Sequence, residues 1–408
     1  MLTFEQERLV KPEDRPLPFA ENRVRYLDSD VLTEAYKRIE RVITMYDNVF
    51  VSFSGGKDSL AVAYLVREVY DRIGLKNVPV TLVFRDEELI PDDVIEFVQS
   101  FKEQPDRWDL RYYAFPMESH LFFMGRHLPY VQWDEARRGN WIRPKPDYAI
   151  EQIHPENVPL HQSMTSALTV LHMGLKGRTA IFNGIRAQES LIRFRASTAS
   201  TGAQSYISGD MGGAKHISFV KPIFDWSEKD IFRYFYDKKI SYCKIYEAEL
   251  WAGAPLRVST PLHDAAYDYL SRLRVMYPKF FEQIVAVWPE VAAQERYWKS
   301  FDRKGMIHRY PKSFEGILQY IEENMEEPRE KKKAIEVVKQ CRSSREKNKR
   351  TGKYADLCGN GYPLLHVFKA IVTGKFMKGV QAHVAPDNAM IEYEKQADLE
   401  RETAVKGA

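Results

Sequence analysis

Cysteine and long apolar runs are both scarce in this chain of 408 residues. Its three cysteines, Cys243, Cys341 and Cys358, form no CxxC pair and no disulfide framework, which is typical of a protein in a reducing cytoplasm. No apolar run approaches the roughly 18 residues that a membrane-spanning helix needs, and the first residues lack the basic and apolar regions of a signal peptide. The sequence therefore predicts a soluble cytoplasmic protein without a membrane partner.

Two well-known catalytic motifs are also missing. The spacing GxxxxGK[ST] of a Walker-type phosphate loop does not occur, and the ten histidines form no HExxH zinc motif. The formal net charge is only +3, which does not by itself indicate nucleic-acid binding. These absences argue against a Walker-type nucleotidase and against a zinc protease.

A glycine-rich loop follows an apolar run, Val49 to Phe53, that is predicted to be a buried strand. The loop residues are Ser54, Gly55, Gly56, Lys57, Asp58 and Ser59. Apolar residues at helical spacing follow them, so backbone N–H groups and a helix N-terminus should surround a bound anion. The glycines permit close approach of phosphate oxygens, while lysine and serine add donors. This pattern predicts a site for nucleotide phosphates.

Strands alternate with helices around this loop. Residues 31–46 have helical spacing, and further strands are predicted at Val80–Phe84, Trp108–Phe115 and residues 178–185. This alternation favours right-handed crossovers and an α/β fold, a doubly wound parallel sheet. Ligands of such sheets bind beyond the carboxyl ends of the strands. The glycine loop and the charged residues after the other strands should therefore share one edge.

Acidic residues follow the second predicted strand. Asp86 and Glu88 are candidates to hold magnesium or the ribose hydroxyls of a nucleotide. A solvated acidic turn is the alternative, because Glu87 between them shows that not every acid has a ligand. Asp58 in the glycine loop is either a helix cap or a second magnesium ligand.

Two arginines follow the fourth predicted strand. Arg186 and Arg193 are seven residues apart, which predicts one helix face on which both contact phosphate. Glu189 would lie on the same face and orient one guanidinium. A surface ion-pair role for these residues is the alternative.

The chain is predicted to have three parts: an N-terminal extension over residues 1–30, a nucleotide-binding domain over 31–261 and a helical, basic region over 262–408. Residues 129–163 form a long insertion, interpreted either as a substrate-covering loop or as a packed segment. From Arg329 to Lys353, eleven Lys or Arg stand against three Glu. This segment is either a solvated helix or a DNA-contacting surface, whose candidate lysines are Lys331, Lys332, Lys333, Lys347 and Lys349.

The loop motif SGGKDS resembles that of the PP-loop ATP pyrophosphatases, which cleave ATP between its α and β phosphates. Residues 183–195 (NGIRAQESLIRFR) and 221–236 (KPIFDWSEKDIFRYFY) resemble the phosphoadenosine phosphosulfate (PAPS) reductase family. Within it, the chain is similar to a subgroup that includes the ATP pyrophosphatases of DNA phosphorothioation and a branch of coactivators. This resemblance implies the adenine nucleotide α-hydrolase type of sheet, with a mainly helical C-terminal region.

The resemblance also implies residue roles. The implied catalytic residues are Lys57, Ser59, Arg186 and Arg193. The implied nucleotide-binding residues are Ser52, Phe53, Ser54, Gly55, Gly56, Lys57, Asp58, Ser59, Asp86, Glu88, Gly184 and Glu189. ATP and Mg²⁺ are the expected cofactors, and Asp58 and Asp86 are the expected metal ligands. Family reductases carry a nucleophilic cysteine between Glu and His, which Cys358 lacks. Three scattered cysteines also cannot supply four thiolates, so no iron–sulfur cluster is expected.

The favoured function is an ATP pyrophosphatase that adenylylates an acceptor for sulfur transfer, with DNA phosphate as one possible acceptor. A protein partner of the cysteine desulfurase type would then supply the sulfur. Two alternatives stay open: a regulator that binds ATP or a PAPS-like nucleotide and acts with a partner protein, and a sulfate-assimilation PAPS reductase or sulfurtransferase.

Overall fold

The structure is a computed structural model and describes residues 27–154, 159–161, 164–189, 193, 206–208, 216–254, 256, 258, 260–262, 270–297, 307–351, 357–358, 363–377 and 379–380. Most of the predicted N-terminal extension lies outside these residues. The chain divides into two compact units. One comprises Ser29–Glu189 and Arg193–Phe301, and the other comprises Met1–Asp28, Ser190–Ile192 and Asp302–Ala408. The three-part division given above stays a prediction.

A parallel sheet of five strands forms the centre of the first unit. Its strands are β1 (Asn48–Ser52), β2 (Val80–Arg85), β3 (Trp108–Tyr113), β6 (Thr179–Phe182) and β7 (Ile217–Val220). Their order across the sheet is β3-β2-β1-β6-β7, and every neighbouring pair is parallel. The order reverses at β1, so the glycine loop leaves the sheet at its switch point, where α/β proteins bind ligands. The predicted doubly wound α/β fold is confirmed.

Successive residues of each strand pack on opposite faces of this sheet. Val51, Leu82 and Phe182 belong to a large apolar core on one face. Phe50, Val83 and Ile181 belong to a second core on the other. Because both faces are buried, the segments 49–51, 82–84 and 180–182 of the three central strands are continuously apolar.

Helices connect the parallel strands and continue after the last strand. They are α1 (Val31–Met45), α2 (Lys57–Arg72), α3 (Asp92–Gln99), α4 (Thr165–His172), α5 (Glu228–Lys238) and α6 (Ile245–Ala252), followed by α7 (Leu270–Met276), α8 (Pro278–Val287) and α9 (Glu290–Tyr297). Side chains of α1, α2, α3 and α5 enter the large core, and those of α4 enter the second. A capping box of Ser227 and Asp230 fixes the start of α5.

An antiparallel hairpin is the main element that the sequence did not predict. Strands β4 (Met117–Phe123) and β5 (Arg126–Gln132) pair over their whole length. Met124 and Gly125 join them with φ of 46° and 89°, the positive values of a type I′ turn. Part of the predicted insertion, from residue 129, is therefore a strand.

The second unit is helical where it is described. It contains α10 (Phe314–Asn324), α11 (Pro328–Thr351) and α12 (Leu364–Val372), which share one apolar core. The helical C-terminal region is thus confirmed. Among the described residues, none of the helices has the length and apolar character that crossing a membrane requires.

Candidate anion-binding site

The glycine loop, residues Ser54–Ser59, joins β1 to α2 and depends on glycine at two positions. Gly55 has φ of +73°, and a Cβ there would lie 2.7 Å from Cγ2 of Val98. Gly56 is the N-cap of α2, and a Cβ on it would lie 3.2 Å from the hydroxyl of Tyr246. A side chain at either position would displace the packing that shapes the loop.

Hydrogen bonds inside the loop fix some of its donors and leave others open. The hydroxyl of Ser59 accepts from the amide of Ser54 at 3.1 Å and donates to the carbonyl of Gly56 at 3.0 Å. The amide of Lys57 donates to the hydroxyl of Tyr246 at 2.6 Å. The amides of Gly55, Asp58 and Ser59 have no acceptor among the described residues. These open amides at a helix N-terminus are suited to bind anionic oxygens.

The side chain of Lys57 is held beside the loop. It is 3% exposed, and its ammonium donates to the carbonyl of Leu256 at 2.6 Å. Carboxylate oxygens of Asp58 and Glu228 lie 3.4 Å from it, and the ring of Tyr246 lies 5.4 Å away. A buried ammonium therefore lies beside the loop and is held there by a backbone carbonyl.

Two residues after β6 contact the start of α2. A Cβ on Gly184 would lie 2.6 Å from the carbonyl carbon of Asp58 and 2.7 Å from the amide of Ser59, so only glycine allows this approach. Arg186 is 4% exposed, and its Nε donates to the Asp58 carboxylate at 2.5 Å. The structure thus brings Gly184 and Arg186 to the glycine loop, as the shared-edge argument predicts.

The predicted helix face that joins Arg186 to Arg193 is not what the structure shows. Arg186 precedes a short 3₁₀ turn, Ala187–Glu189, and residues 190–192 lie outside the described part. Glu189 accepts a hydrogen bond from the backbone amide of Arg186 and pairs with the guanidinium of Arg193. Arg186 instead pairs with Asp58, which is at the second position of α2 and is not its cap.

The two acids after β2 are buried in a network of arginines. Asp86 is 3% exposed and accepts hydrogen bonds from Arg143, at 2.5 Å, and from the hydroxyl of Tyr112. Glu88 is fully buried and forms a two-bond pair with Arg137, at 3.0 and 2.9 Å. The alternative of a solvated acidic turn is therefore wrong. The binding of magnesium or ribose by Asp86 and Glu88 stays a prediction. Their pairing with arginines does not favour it, because the carboxylates are already engaged.

This network also fixes the insertion to the sheet edge. The amide of Trp133 donates to Glu88 at 2.7 Å, and its indole Nε1 donates to the carbonyl of Asp86 at 2.7 Å. Glu88 and Trp133 both have positive φ, 63° and 51°, and such strain persists only where contacts impose it. The insertion is thus packed against this edge at Trp133, Arg137 and Arg143.

The expected metal ligands do not present a free carboxylate. Asp58 is engaged by Arg186, and Asp86 by Arg143 and Tyr112. Across the part of the chain that the structure describes, no three His, Cys, Asp or Glu side chains come together as a metal site. These residues therefore do not fit a magnesium ion held by Asp58 and Asp86.

The remaining predicted residues are a core phenylalanine of the first unit and the lysines of a helix in the second unit. Phe53 packs in the core against Phe101, with ring centroids 4.8 Å apart, so its side chain is structural. In the second unit, Lys331 pairs with Glu322 at 2.6 Å and Lys333 with Glu336 at 4.0 Å. The basic lysines lie on α11, whose buried face is formed by Ala334, Val337, Val338 and Cys341.

Sequence reasoning missed several residues that shape this site. They are Tyr112, Trp133, Arg137, Arg143 and Tyr246. Tyr246 is separated from Lys57 by 189 residues and Arg143 from Asp86 by 57. A contact across such a distance leaves no local pattern, although the two buried acids called for cationic partners.

The fold and this edge define an α/β protein with a glycine-rich loop at the switch point of a parallel sheet. A sequence model of the phosphoadenosine phosphosulfate reductase domain matches residues 48–284, more than half of the chain. The chain belongs to the PAPS reductase domain family.

Individual relatives are more distant. The uncharacterized protein YbdN of Escherichia coli is 29% identical over 244 residues, which cover 57% of this chain and 58% of that protein. The PAPS reductase of Candida auris, solved as a phosphate complex, is similar with a TM-score of 0.35 and 13% identity, over 58% of this chain and 97% of that one. The U34-tRNA thiolase NcsA of Methanococcus maripaludis, solved with its [4Fe-4S] cluster, has a TM-score of 0.30 and 14% identity, over 67% and 82%.

Proposed function

We propose that the chain is an ATP pyrophosphatase that cleaves ATP between its α and β phosphates and transfers the adenylyl group to an acceptor. The observation that carries this proposal is the glycine loop, in which the amides of Gly55, Asp58 and Ser59 have no acceptor among the described residues. Lys57 belongs to this loop, and Arg186 contacts its residue Asp58. Negative charge develops on the bridging oxygen as the α–β bond breaks, and fixed donors at that position lower the barrier.

Each residue has a role in this proposal. The open amides bind the phosphate chain, and Lys57 moves from the Leu256 carbonyl to a phosphate oxygen. Arg186 offsets the charge of Asp58 beside these amides. Gly184 permits the approach of the chain after β6 to the start of α2. The acceptor oxygen attacks the α phosphorus, and pyrophosphate leaves from the loop.

The cysteines support this proposal over a sulfur-reducing enzyme. Cys358 is fully buried, and burial raises its pKa to about 11. A nucleophilic thiol needs a lowered pKa and access to its substrate. Sulfur transfer to the adenylylated acceptor would therefore use a persulfide from a partner protein. The proposal further takes a DNA phosphate as the acceptor of the adenylyl group.

A regulator that binds a nucleotide and acts with a partner is the second candidate. It is favoured by Trp251 and Leu250 on α6, which are 91% and 71% exposed. Adjacent exposed apolar side chains of this size are typical of protein contact surfaces. Tyr246 on the same helix holds the amide of Lys57, so a partner on α6 would act directly on the loop.

Product analysis with α- and γ-labelled ATP, with and without duplex DNA, tests the proposal. Pyrophosphate together with AMP, or with α label on the DNA, is expected from the wild type. Lys57→Ala should abolish pyrophosphate release, whereas Lys76→Ala, on the exposed turn before β2, should not. Nucleotide binding without turnover in the wild type would favour the regulator.

A further inference from the structure

Three polar side chains lie at the carboxyl ends of neighbouring strands. Ser52 ends β1, Asn183 follows β6 and Lys221 follows β7. The residues two positions earlier pack together in the second core: Phe50, Ile181 and Phe219.

The sheet register places these three polar residues on the same face. Phe50 pairs with Ile181, and Ile181 pairs with Phe219. Side chains alternate along a strand, so the row two residues later returns to that face. The ladder continues this far, because the amide of Asn183 donates to the carbonyl of Val220 at 2.8 Å. Ser52, Asn183 and Lys221, here the polar row, span about 10 Å across three strands.

Lys221 is unusual within this row. It is 8% exposed, yet no carboxylate or hydrogen-bond acceptor among the described residues contacts its ammonium. Burial lowers the pKa of Lys221. The stem of the side chain is buried, but Nζ of Lys221 is not among the buried side-chain atoms without a partner in the described residues, so the ammonium reaches solvent and is open to a ligand. The side chains of Ser52 and Asn183 likewise have no hydrogen-bond partner in the described part of the chain.

The backbone around Lys221 is held firmly. Its amide donates to the carbonyl of Tyr206 at 2.8 Å. Arg38 donates to the carbonyl of Pro222 at 2.8 Å and forms a two-bond pair with Asp225, at 2.8 and 2.6 Å. A charged group on a fixed backbone is preorganised for binding, since little entropy is lost when a ligand arrives.

We propose that the polar row binds a phosphate group, with Lys221 as its charged residue and Asn183 and Ser52 as neutral donors. The row lies on β1, β6 and β7, the strands whose ends carry the glycine loop and Gly184. It thus offers a second set of anion donors at the same sheet edge. This inference rests on the proposed function for the nucleotide but not on cleavage of that nucleotide.

Calorimetric titration of the full chain with ATP, AMP, inorganic pyrophosphate and inorganic phosphate tests the polar row. Lys221→Met should weaken binding of at least one of these anions by about tenfold or more, the loss expected for one charge-assisted hydrogen bond. Its melting temperature should stay equal or rise, because partial burial of the Lys221 side chain disfavours its charged form. Lys221→Arg should bind more tightly than Lys221→Met, and Lys76→Met is the matched control.

Comparison of the four anions shows which phosphate group the polar row binds. A loss with AMP assigns the row to the α phosphate, and a loss with ATP and pyrophosphate but not AMP assigns it to the leaving group. A loss with inorganic phosphate alone assigns it to an acceptor. Unchanged affinity for all four, or an arginine variant no better than methionine, would overturn the inference. If the wild type binds none of them, the nucleotide site fails together with it. Binding without turnover contradicts only the proposed cleavage.

Discussion

The guanidinium Nε of Arg186 lies 2.5 Å from Oδ1 of Asp58 and connects the chain after β6 to the first turn of α2. A carboxylate in that turn is favourable for the helix dipole but repels a phosphate bound to the same amides. Arg186 resolves this conflict, because its charge offsets that of Asp58 at the proposed phosphate site.

A double-mutant cycle tests this relationship. Arg186→Met should weaken ATP binding at least tenfold, since Asp58 then carries an uncompensated charge beside the loop. Adding Asp58→Asn should restore part of the affinity, as measured by calorimetry at constant ionic strength. A double variant as weak as Arg186→Met would show instead that Arg186 contacts the phosphate directly.

Gly184 should tolerate no side chain. Gly184→Ala would place a Cβ within 2.7 Å of the Asp58 carbonyl carbon and the Ser59 amide, so the start of α2 must shift. We expect a loss of about 1–3 kcal/mol in the free energy of unfolding, measured by urea denaturation, together with weaker ATP binding. Gly139→Ala is the control, because nothing lies within 4 Å of a Cβ there. Equal stability of the two variants would contradict this close approach.

The loop, the parallel strands and their shared edge could be predicted from the sequence, because each depends on residues that are close together in the chain. The partners of the buried acids could not be predicted in this way. Arg137 and Arg143 come from a segment about 50 residues away, at separations of 49 and 57 from Glu88 and Asp86. The hairpin was missed although Gly125 between two short apolar runs is a turn signal. Tyr246 had no signal, since its contact with Lys57 is created only by folding.

The pair of Asp86 and Arg143 should be structural. Asp86→Asn leaves Arg143 without its carboxylate in a buried site, which we expect to cost about 3 kcal/mol of unfolding free energy. Arg143→Met in the same chain should cost less than the sum of the single changes. Glu96→Gln on the exposed face of α3 is the control for urea denaturation. If Asp86→Asn retains stability but loses nucleotide binding, Asp86 belongs to the ligand site.

The buried thiols should make the free energy of unfolding decrease with pH in the alkaline range. Burial raises the pKa of Cys243 and Cys358 to about 11 from an ordinary value of 9.0. Above pH 9 the unfolded chain releases these protons before the folded chain does, so their contribution is complete below pH 9 and is lost as pH rises toward 11. The free energy of unfolding should therefore fall more steeply across this window in wild type than in a variant with all three cysteines changed to alanine. Identical slopes would mean that the thiols are not buried.

The native thiols should also resist alkylation. At pH 8 a buried thiol with a raised pKa is almost entirely protonated and inaccessible, so iodoacetamide should label it only after unfolding. Labelling followed by mass spectrometry, with and without urea, measures this at each cysteine. Rapid native labelling of Cys358 would reopen the sulfur-reducing alternative.

The lysines of α11 provide the test of DNA as the acceptor. Changing Lys331, Lys332, Lys333, Lys347 and Lys349 to glutamine should weaken duplex binding and flatten the dependence of log affinity on log salt concentration. Each lost phosphate contact lowers that slope by about 0.9. Two of these lysines already pair with glutamates, Lys331 at 2.6 Å and Lys333 at 4.0 Å, so the change in slope should be smaller than five contacts would give.

The matched control removes five exposed lysines from the other unit: Lys37, Lys76, Lys102, Lys176 and Lys239. Fluorescence anisotropy over a salt series measures both sets. If the two sets weaken binding equally, the contact is non-specific, and wild type without DNA affinity at low salt would exclude DNA as the acceptor.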